Sequence, residues 1–522
     1  MRDNRRIRRA QVMRSGKTLA IFIAINFALR FALLPINEAE YTDGIIQLTQ
    51  FANQTGIYPP LYTALTWPLS FLFGQLWAGR IISATFSALA VIPIYLLAHR
   101  SFGARAALFA ALIFTVAPTS LRWAPRVMTE SVFCFFFWFA CERLIAAFAA
   151  SDAKERESAM MWSGVLGALS ALTRYQGVFL ALPVVVLAFL TFRRTGRLPW
   201  RGLAGLLPYG LIPIWSAATN TIHGGQFAER VGDIPFMTFL LNAEPFVLLF
   251  PYFLTYPVAI LVTMGLCKGR PRPRASLLPL TVYVFSILLV LQSLFGSFQE
   301  RYFLPLFGLF FIYGGLGMAV LDHILRRRQP WLRPYVPIVV VTWSVFISFF
   351  VLFGSRQAFG DMRHAAEFAA ATVKADGGRI FTNEVYREER QQEGRNIVLI
   401  PGVLNASVGP TASPAIVANK VEFFARTNVF YLHEEYYTGR LPLRTGDLLI
   451  MSDIYGLEPQ YAELNKRYVL EPLNQFTARV YPIFPDIMST PGTSQNPAAF
   501  LYRYFPQDFR TVVFRVAGTR GQ

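Results

Sequence analysis

The stretch IFIAINFALRFALLPINEAEYTDGIIQLTQ, residues 21–50, changes character at Asn37. Up to Ile36 it reads as an apolar segment; beyond that point it carries Glu38, Glu40 and Asp43. Such a junction calls for an apolar solvent on one side and water on the other. The whole chain has the same texture, with 54% hydrophobic residues, 48 Phe and only 15% charged residues in 522. Soluble domains carry far more charge than this. The apolar residues also cluster in windows near the ~20 residues that cross a bilayer. In lipid the backbone has to satisfy its own hydrogen bonds, so each window reads as a helix.

The windows fall at about 18–36, 77–98, 104–121, 129–149, 159–174, 176–192, 203–219, 237–266, 276–296, 302–321 and 335–354. The expectation is a polytopic α-helical membrane protein of about eleven transmembrane helices. Lys and Arg mark the loops that stay cytoplasmic. They crowd the N-terminus (MRDNRRIRRAQVMRSGK) and every second connection: RSFGAR, SDAKER, RRTGRLPWR, CKGRPRPR and ILRRRQPWLR. The alternate connections, the one at Asn37 included, are then exoplasmic, and an odd number of spans exports the C-terminus. The basic start followed by a long apolar run reads as a retained anchor, not a cleaved signal.

The net charge of +18 follows from this topology, with some attraction to anionic headgroups. Because the basic residues are divided among loops and line no single groove, no nucleic-acid partner is expected. The three cysteines, Cys134, Cys141 and Cys267, supply neither a disulfide framework nor a zinc motif. Few cysteines and no sorting signal fit a bacterial or archaeal plasma (inner) membrane.

From about residue 355 the long apolar windows stop. Short β-type runs (RIFTNE, NVFYLHEE, DLLIMSD, TVVFRV) alternate with candidate helices (DMRHAAEFAAATVKAD, SPAIVANKVEFFART). The chain thus divides into a membrane domain over 1–354 and an exoplasmic, soluble α/β domain over 355–522. The turn-rich pieces PGVLNASVGPTASP and MSTPGTSQNPAA read as surface loops.

Four polar clusters fall on the exoplasmic side. They are the first loop; Arg122, Arg126 and Glu130 in RWAPRVMTES; Arg174, Tyr175 and Gln176 in LTRYQG; and Gln299, Glu300, Arg301 and Tyr302 in SFQERYF. Each alone is equally well a solvated helix end or a snorkelling anchor. Arg174 stands apart because its flanking windows are short, which sets the charge below headgroup level, where it needs a partner or a ligand. Arg makes paired charge-assisted hydrogen bonds to phosphate oxygens, and a nearby carboxylate can take a proton from an attacking hydroxyl. The combination fits transfer of a group off a lipid phosphate.

The order of Asn37-Glu38-Ala39-Glu40-Tyr41, YPPLY (58–62), AGR (78–80), LRWAPRVMTES, LTRYQG and ERYFLP resembles the GT-C glycosyltransferases. The branch it is most similar to holds the protein O-mannosyltransferases and the lipid A aminoarabinose transferase. The resemblance covers the membrane portion. It implies a GT-C fold and an inverting transferase that moves a sugar from a polyprenyl-phosphate donor to an acceptor hydroxyl of a lipid, glycan or protein.

The first-loop acid of such enzymes acts as general base or orients the acceptor. Asn37 stands where one of the usual acidic pair would be, so that role passes to Glu38 or Glu40, with Tyr41 and Asp43 in support. Glu130 takes the place of a second family acid. The aminoarabinose branch has a basic residue where this chain has Tyr58. Phosphate binding then falls to Arg126, Arg174 or Arg301, with Tyr302 beside them. No cofactor is implied. The first-loop acids could chelate a divalent ion, which is the less favoured reading.

Other features have plain readings. YPPLY is as well a bend and interfacial anchor. Trp67, Trp77 and Trp123 read as belt residues, and His223 and His433 lack the spaced partners of a metal site. The rival function is a polytopic transporter or lipid flippase, for which midplane charges and a repeated half are the signature; neither is visible.

Overall fold

A computed structural model describes residues 2–51, 58–218, 253–269, 275–295, 300–384, 420–432, 436, 442–480 and 507–520. By their contacts the residues fall into two units. One comprises Met1–Pro35, Tyr58–Phe353 and Ile483–Tyr502; the other comprises Ile36–Ile57, Gly354–Pro482 and Arg503–Gln522.

The first unit is helical. Among the described residues five runs are long and apolar enough to cross a bilayer: Gln75–Phe102, Glu130–Ala149, Tyr175–Thr195, Glu300–Arg328 and Pro330–Gly354. They contain the windows expected at 77–98, 129–149, 176–192, 302–321 and 335–354. Shorter apolar helices occupy Leu61–Phe73, Ala104–Val116, Tyr256–Lys268 and Leu278–Leu291, and the first window, expected over 18–36, falls in the helix Arg2–Ala32 as far as Ala32, where that helix ends. Part of the window at 237–266 lies outside the described residues, as do Gln299, His223, His433 and both turn-rich loops.

Several local details differ from expectation, among them the window over 203–219, which is broken into the helix Trp200–Ala204, a 3-10 turn Leu207–Gly210 and the helix Leu211–Ala218. The helix expected over 104–121 stops at Val116, where Ala117 turns extended ahead of Pro118, which has no N–H to continue the ladder. The one expected from 159 begins at Ala153, because Asp152 caps it by accepting from the Glu155 amide at 3.0 Å. Within YPPLY, read from sequence as a bend and anchor or a ligand site, the helix Leu61–Phe73 begins at Leu61 and runs on through a stretch in which no window was expected.

Glu300–Arg328 is the central element, with 78% of its apolar window buried, against 28% for Pro330–Gly354. It is rich in glycine because its neighbours approach to backbone distance. A Cβ on Gly315 would lie 2.5 Å from the Ala106 carbonyl oxygen, and one on Gly317 would overlap the Leu261 carbonyl. This is small-residue packing of membrane helices, in which dispersion between close backbones replaces the hydrophobic effect. The rim carries the opposite pattern: Ile338, Val339, Phe346, Phe349 and Phe353 are exposed, as suits side chains bathed in lipid.

The second unit is a five-stranded mixed sheet in the order β2-β1-β3-β5-β4, with β1 Ile380–Thr382, β2 Val429–Tyr431, β3 Leu448–Ser452, β4 Tyr468–Val480 and β5 Gln507–Thr519. β1 pairs in parallel with β2 and β3, while β5 runs antiparallel to β3 and β4. Alternate residues feed two cores. Ile380, Leu448, Ile450 and Val513 pack with Met362, Ala365 and Ala369 of the helix Gly360–Asp376. Phe381, Leu449, Met451 and Phe514 pack with Leu457 and Leu464 of the helix Leu457–Asn465. β4, at one end of the sheet, slips register twice against β5, between Val469 and Leu470 and between Pro472 and Asn474. Ala39 and Ile45 belong to the first of these cores, so the loop after the first apolar window is built into the α/β unit.

Candidate active site

Each unit carries one group of candidate residues. In the helical unit the group is assembled at helix starts. Glu130 opens the helix Glu130–Ala149, where a carboxylate is favoured by the amides of the first turn. Arg174 directly precedes a short 3-10 turn, Tyr175–Leu180, and Arg301 and Tyr302 lie in a second one, Glu300–Phe303. Chain segments far apart in sequence thereby meet.

Glu130 is buried and its Oε1 accepts an ion-paired hydrogen bond from Arg174 Nη1. Arg301 Nε lies 3.9 Å from the same oxygen. Arg174 is held further by Gln176 Oε1 at 3.0 Å and Thr129 Oγ1 at 3.3 Å. The two guanidinium carbons stand 5.3 Å and 5.1 Å from the centre of the Tyr302 ring, so both cations lie against one aromatic ring. Arg301 Nη2 also donates to the Tyr302 hydroxyl at 3.3 Å. The other oxygen, Glu130 Oε2, is buried and accepts no hydrogen bond among the described residues. Glu130 borders a cavity of ~20 Å³, about the size of one water, which is also lined by Ser87, Thr119, Trp123 and Trp138.

Around this group lie two buried features. Arg122 pairs with Glu300 at 2.8 Å, with 5% and 0% of their side chains exposed. Arg126 is wholly buried. Trp123, read from sequence as a belt residue, is 1% exposed and packs beneath the Arg122 guanidinium, because the segment after Pro118 folds into the protein and away from lipid. Tyr58 is half-buried, and its carbonyl accepts from Trp215 Nε1 at 3.2 Å.

Sequence reasoning missed Arg30. It is fully buried, with Nε donating to Ser87 at 2.7 Å, Nη2 to Ser120 at 3.3 Å and Nη1 to Asn26, and with the Phe114 ring 5.0 Å away. An Arg in the middle of an apolar window was the available signal.

In the α/β unit the group is the first loop. Glu38 is half-buried; its N–H donates to the Arg356 carbonyl at 2.9 Å and its own carbonyl accepts from Arg363 Nη1 at 2.5 Å. Among the described residues its carboxylate has no hydrogen bond. Glu40, two residues on, is fully buried. Tyr41 packs edge-on to Phe359, 5.3 Å between centroids, and Asp43 is half-buried in the first turn of the helix Thr42–Thr49. Below the loop, Lys420 and Glu384 form a buried ion pair of 2.6 Å, and Lys420 Nζ lies 4.4 Å from the Phe359 ring. Burial raises the Asp361 carboxyl above the usual carboxylate range, against a 2.6 Å hydrogen bond from Thr511. Burial alone pushes the Glu422 carboxyl up to about 8.

Chemically, the helical unit offers paired guanidiniums with one carboxylate between them, a cradle for a phosphate. The α/β unit offers an uncommitted, partly exposed carboxylate.

Comparison with known proteins bears on both. The family model of dolichyl-phosphate-mannose-protein mannosyltransferases matches residues 58–215. Among solved structures, ArnT from Cupriavidus metallidurans in the apo state superimposes with a TM-score of 0.60 at 15% identity, covering 95% of this chain and 98% of that one. The same protein bound to undecaprenyl phosphate gives 0.59 at 15% identity, with 97% and 99% covered. At this identity the likeness is one of fold, and it extends over both units. No curated protein matches the chain by sequence.

Proposed function

From the mannosyltransferase family model matched over residues 58–215 and the ArnT-like fold, we propose that this chain is an inverting glycosyltransferase of the GT-C superfamily. It takes a sugar from a polyprenyl-phosphate donor to a hydroxyl of a lipid, glycan or protein, at the exoplasmic face of a plasma membrane. The observation that carries the reading is the convergence of Arg174 and Arg301 on one oxygen of Glu130 beside Tyr302. The undecaprenyl phosphate bound in the structurally similar ArnT supports the choice of donor.

In this reading Arg174 and Arg301 hold the donor phosphate, with Arg126 reinforcing the positive field, and Glu130 orients the two guanidiniums. Glu38 is the general base. The acceptor oxygen attacks the anomeric carbon and Glu38 takes its proton as the new C–O bond forms. The bond from the anomeric carbon to the phosphate oxygen breaks with its electron pair, and the Arg pair stabilises the phosphate as its charge grows. Glu40, fully buried, serves the loop's structure, as do Tyr41 and Asp43; Tyr58 and Tyr302 line the donor side. About eleven spans, a cytoplasmic N-terminus and a soluble exoplasmic C-terminal domain complete the arrangement.

The test begins with the lipid that copurifies with the full-length protein, whose headgroup mass spectrometry identifies; a polyprenyl-phosphate sugar is expected. Turnover is then followed as polyprenyl phosphate released on addition of acceptor, in buffer containing chelator, since the reaction as written uses no metal. Glu38→Gln is expected to lower kcat by about 10²–10⁴-fold, the usual worth of a general base. Wild-type turnover in that variant removes Glu38 from the chemistry.

A further inference from the structure

A base on an irregular loop works only if something fixes it. The segment Asn37–Tyr41 has no regular secondary structure of its own. What fixes it comes from residues 356–363, more than three hundred positions later in the chain.

Both backbone polar groups of Glu38 are taken by that segment, the N–H by the Arg356 carbonyl at 2.9 Å and the carbonyl by Arg363 Nη1 at 2.5 Å. Arg363 is itself oriented, with Nε donating to Glu367 at 2.8 Å and the guanidinium 5.5 Å from the Phe424 ring. Phe359 holds a left-handed φ of +63°, which a bulky side chain adopts only when its surroundings over-determine it. Those surroundings include Tyr41 and Lys420, both against its ring. Next to it, Gly360 lets the Glu38 side chain pass: a Cβ there would lie 2.7 Å from Glu38 Oε2 and 3.5 Å from its Cβ. The main chain of Glu38 is thus clamped on both sides while its carboxylate is left uncommitted over a glycine.

We propose that Gly360 and Arg363 of the α/β unit are positioning residues for the Glu38 carboxylate. The inference rests on Glu38 being the base proposed above. It gives the α/β unit a part in the chemical step: it aims the base from outside the helical unit's sequence.

The test uses the full-length protein, with kcat and donor KM measured for Gly360→Ala, Arg363→Ala, Arg363→Lys and Glu38→Gln. A methyl at residue 360 must push the carboxylate aside, and a displacement near 1 Å at a reacting group costs roughly 10–100-fold in rate. Gly360→Ala is therefore expected to lower kcat by about that factor with donor KM within about twofold. Arg363→Ala is expected to behave alike, and Arg363→Lys to recover part of the loss, because an ammonium can still donate to the Glu38 carbonyl. Glu38→Asp draws the carboxylate back from residue 360, so it should lower kcat in the wild type but cost little more in the Gly360→Ala background, where the carboxylate is already displaced; a purely structural role for Gly360 gives additive losses. Wild-type kcat in Gly360→Ala and Arg363→Ala, with Glu38→Gln inactive, overturns the positioning role. So does a loss of kcat in Gly360→Ala that adds in full to that of Glu38→Asp, or one in Arg363→Ala that Arg363→Lys does not relieve. An active Glu38→Gln instead strikes the base assignment itself.

Discussion

Replacing Glu130 by Gln keeps the side chain's shape and removes one negative charge from between two guanidiniums. In the native group two positive charges, Arg174 and Arg301, face one negative charge through a single oxygen. A phosphate bound to the same guanidiniums is repelled by that carboxylate. At a separation of about 6 Å and an effective dielectric constant of about 20, the repulsion per unit phosphate charge is ~3 kcal/mol. Arg174 retains 18% of its side-chain exposure, and both guanidiniums lose an orienting partner in the variant. About half the repulsion remains as a net gain, ~1.4 kcal/mol, or a tenfold tighter complex with polyprenyl phosphate. Glu130→Gln should therefore bind the leaving lipid phosphate more tightly while turning over more slowly. The assay is calorimetric titration of a short-chain polyprenyl phosphate into detergent-solubilised protein at two salt concentrations, with a melting curve to confirm that the variant is folded. Equal or weaker binding by a folded variant refutes the assignment of Arg174 and Arg301 to the phosphate.

Two further outcomes follow from packing and burial. Gly315→Leu places a branched side chain where even a Cβ lies 2.5 Å from the Ala106 carbonyl; the helix pair must separate, at a cost of about 3 kcal/mol or more, read as a lower melting temperature and loss of monodispersity. Glu422 has its carboxyl raised to about 8 in the folded state, so the native chain holds a proton that the unfolded chain has released. Stability is then full below the ordinary carboxylate pKa and lost as pH rises toward about 8. Resistance of the α/β unit to proteolysis should fall between pH 5.5 and 8.5, and Glu422→Gln should flatten the fall by about 1–2 kcal/mol, after allowance for its partial exposure.

The membrane helices were legible because apolar windows are a local signal: Glu130–Ala149 and Tyr335–Gly354 begin and end within a residue of the windows expected at 129–149 and 335–354. The strands around RIFT, NVFY and DLLIMS were legible from alternation and β-branched content. β4 was not, since Pro472 and its bulges break the period of two. Leu61–Phe73 was missed because tandem proline masked a helix too short to count as a span. At the site, residue types were readable and partnerships were not. Arg174 with Glu130, and Arg122 with Glu300, are pairs between distant segments, and no local pattern encodes them. The same holds for the first loop, whose Ala39 and Ile45 pack in the core of a unit that otherwise begins at Gly354.

The doubly slipped strand β4 has a consequence for life in a crowded membrane. Copies of a membrane protein are confined to a plane and meet repeatedly, and an even, unbroken outer strand would zip onto that of a neighbour. β4 carries Pro472, which offers no N–H for pairing, along with two register slips and an Arg479–Asp508 ion pair at 2.6 Å toward its end. These features blunt the edge against templated self-association, so that collisions between neighbours stay brief.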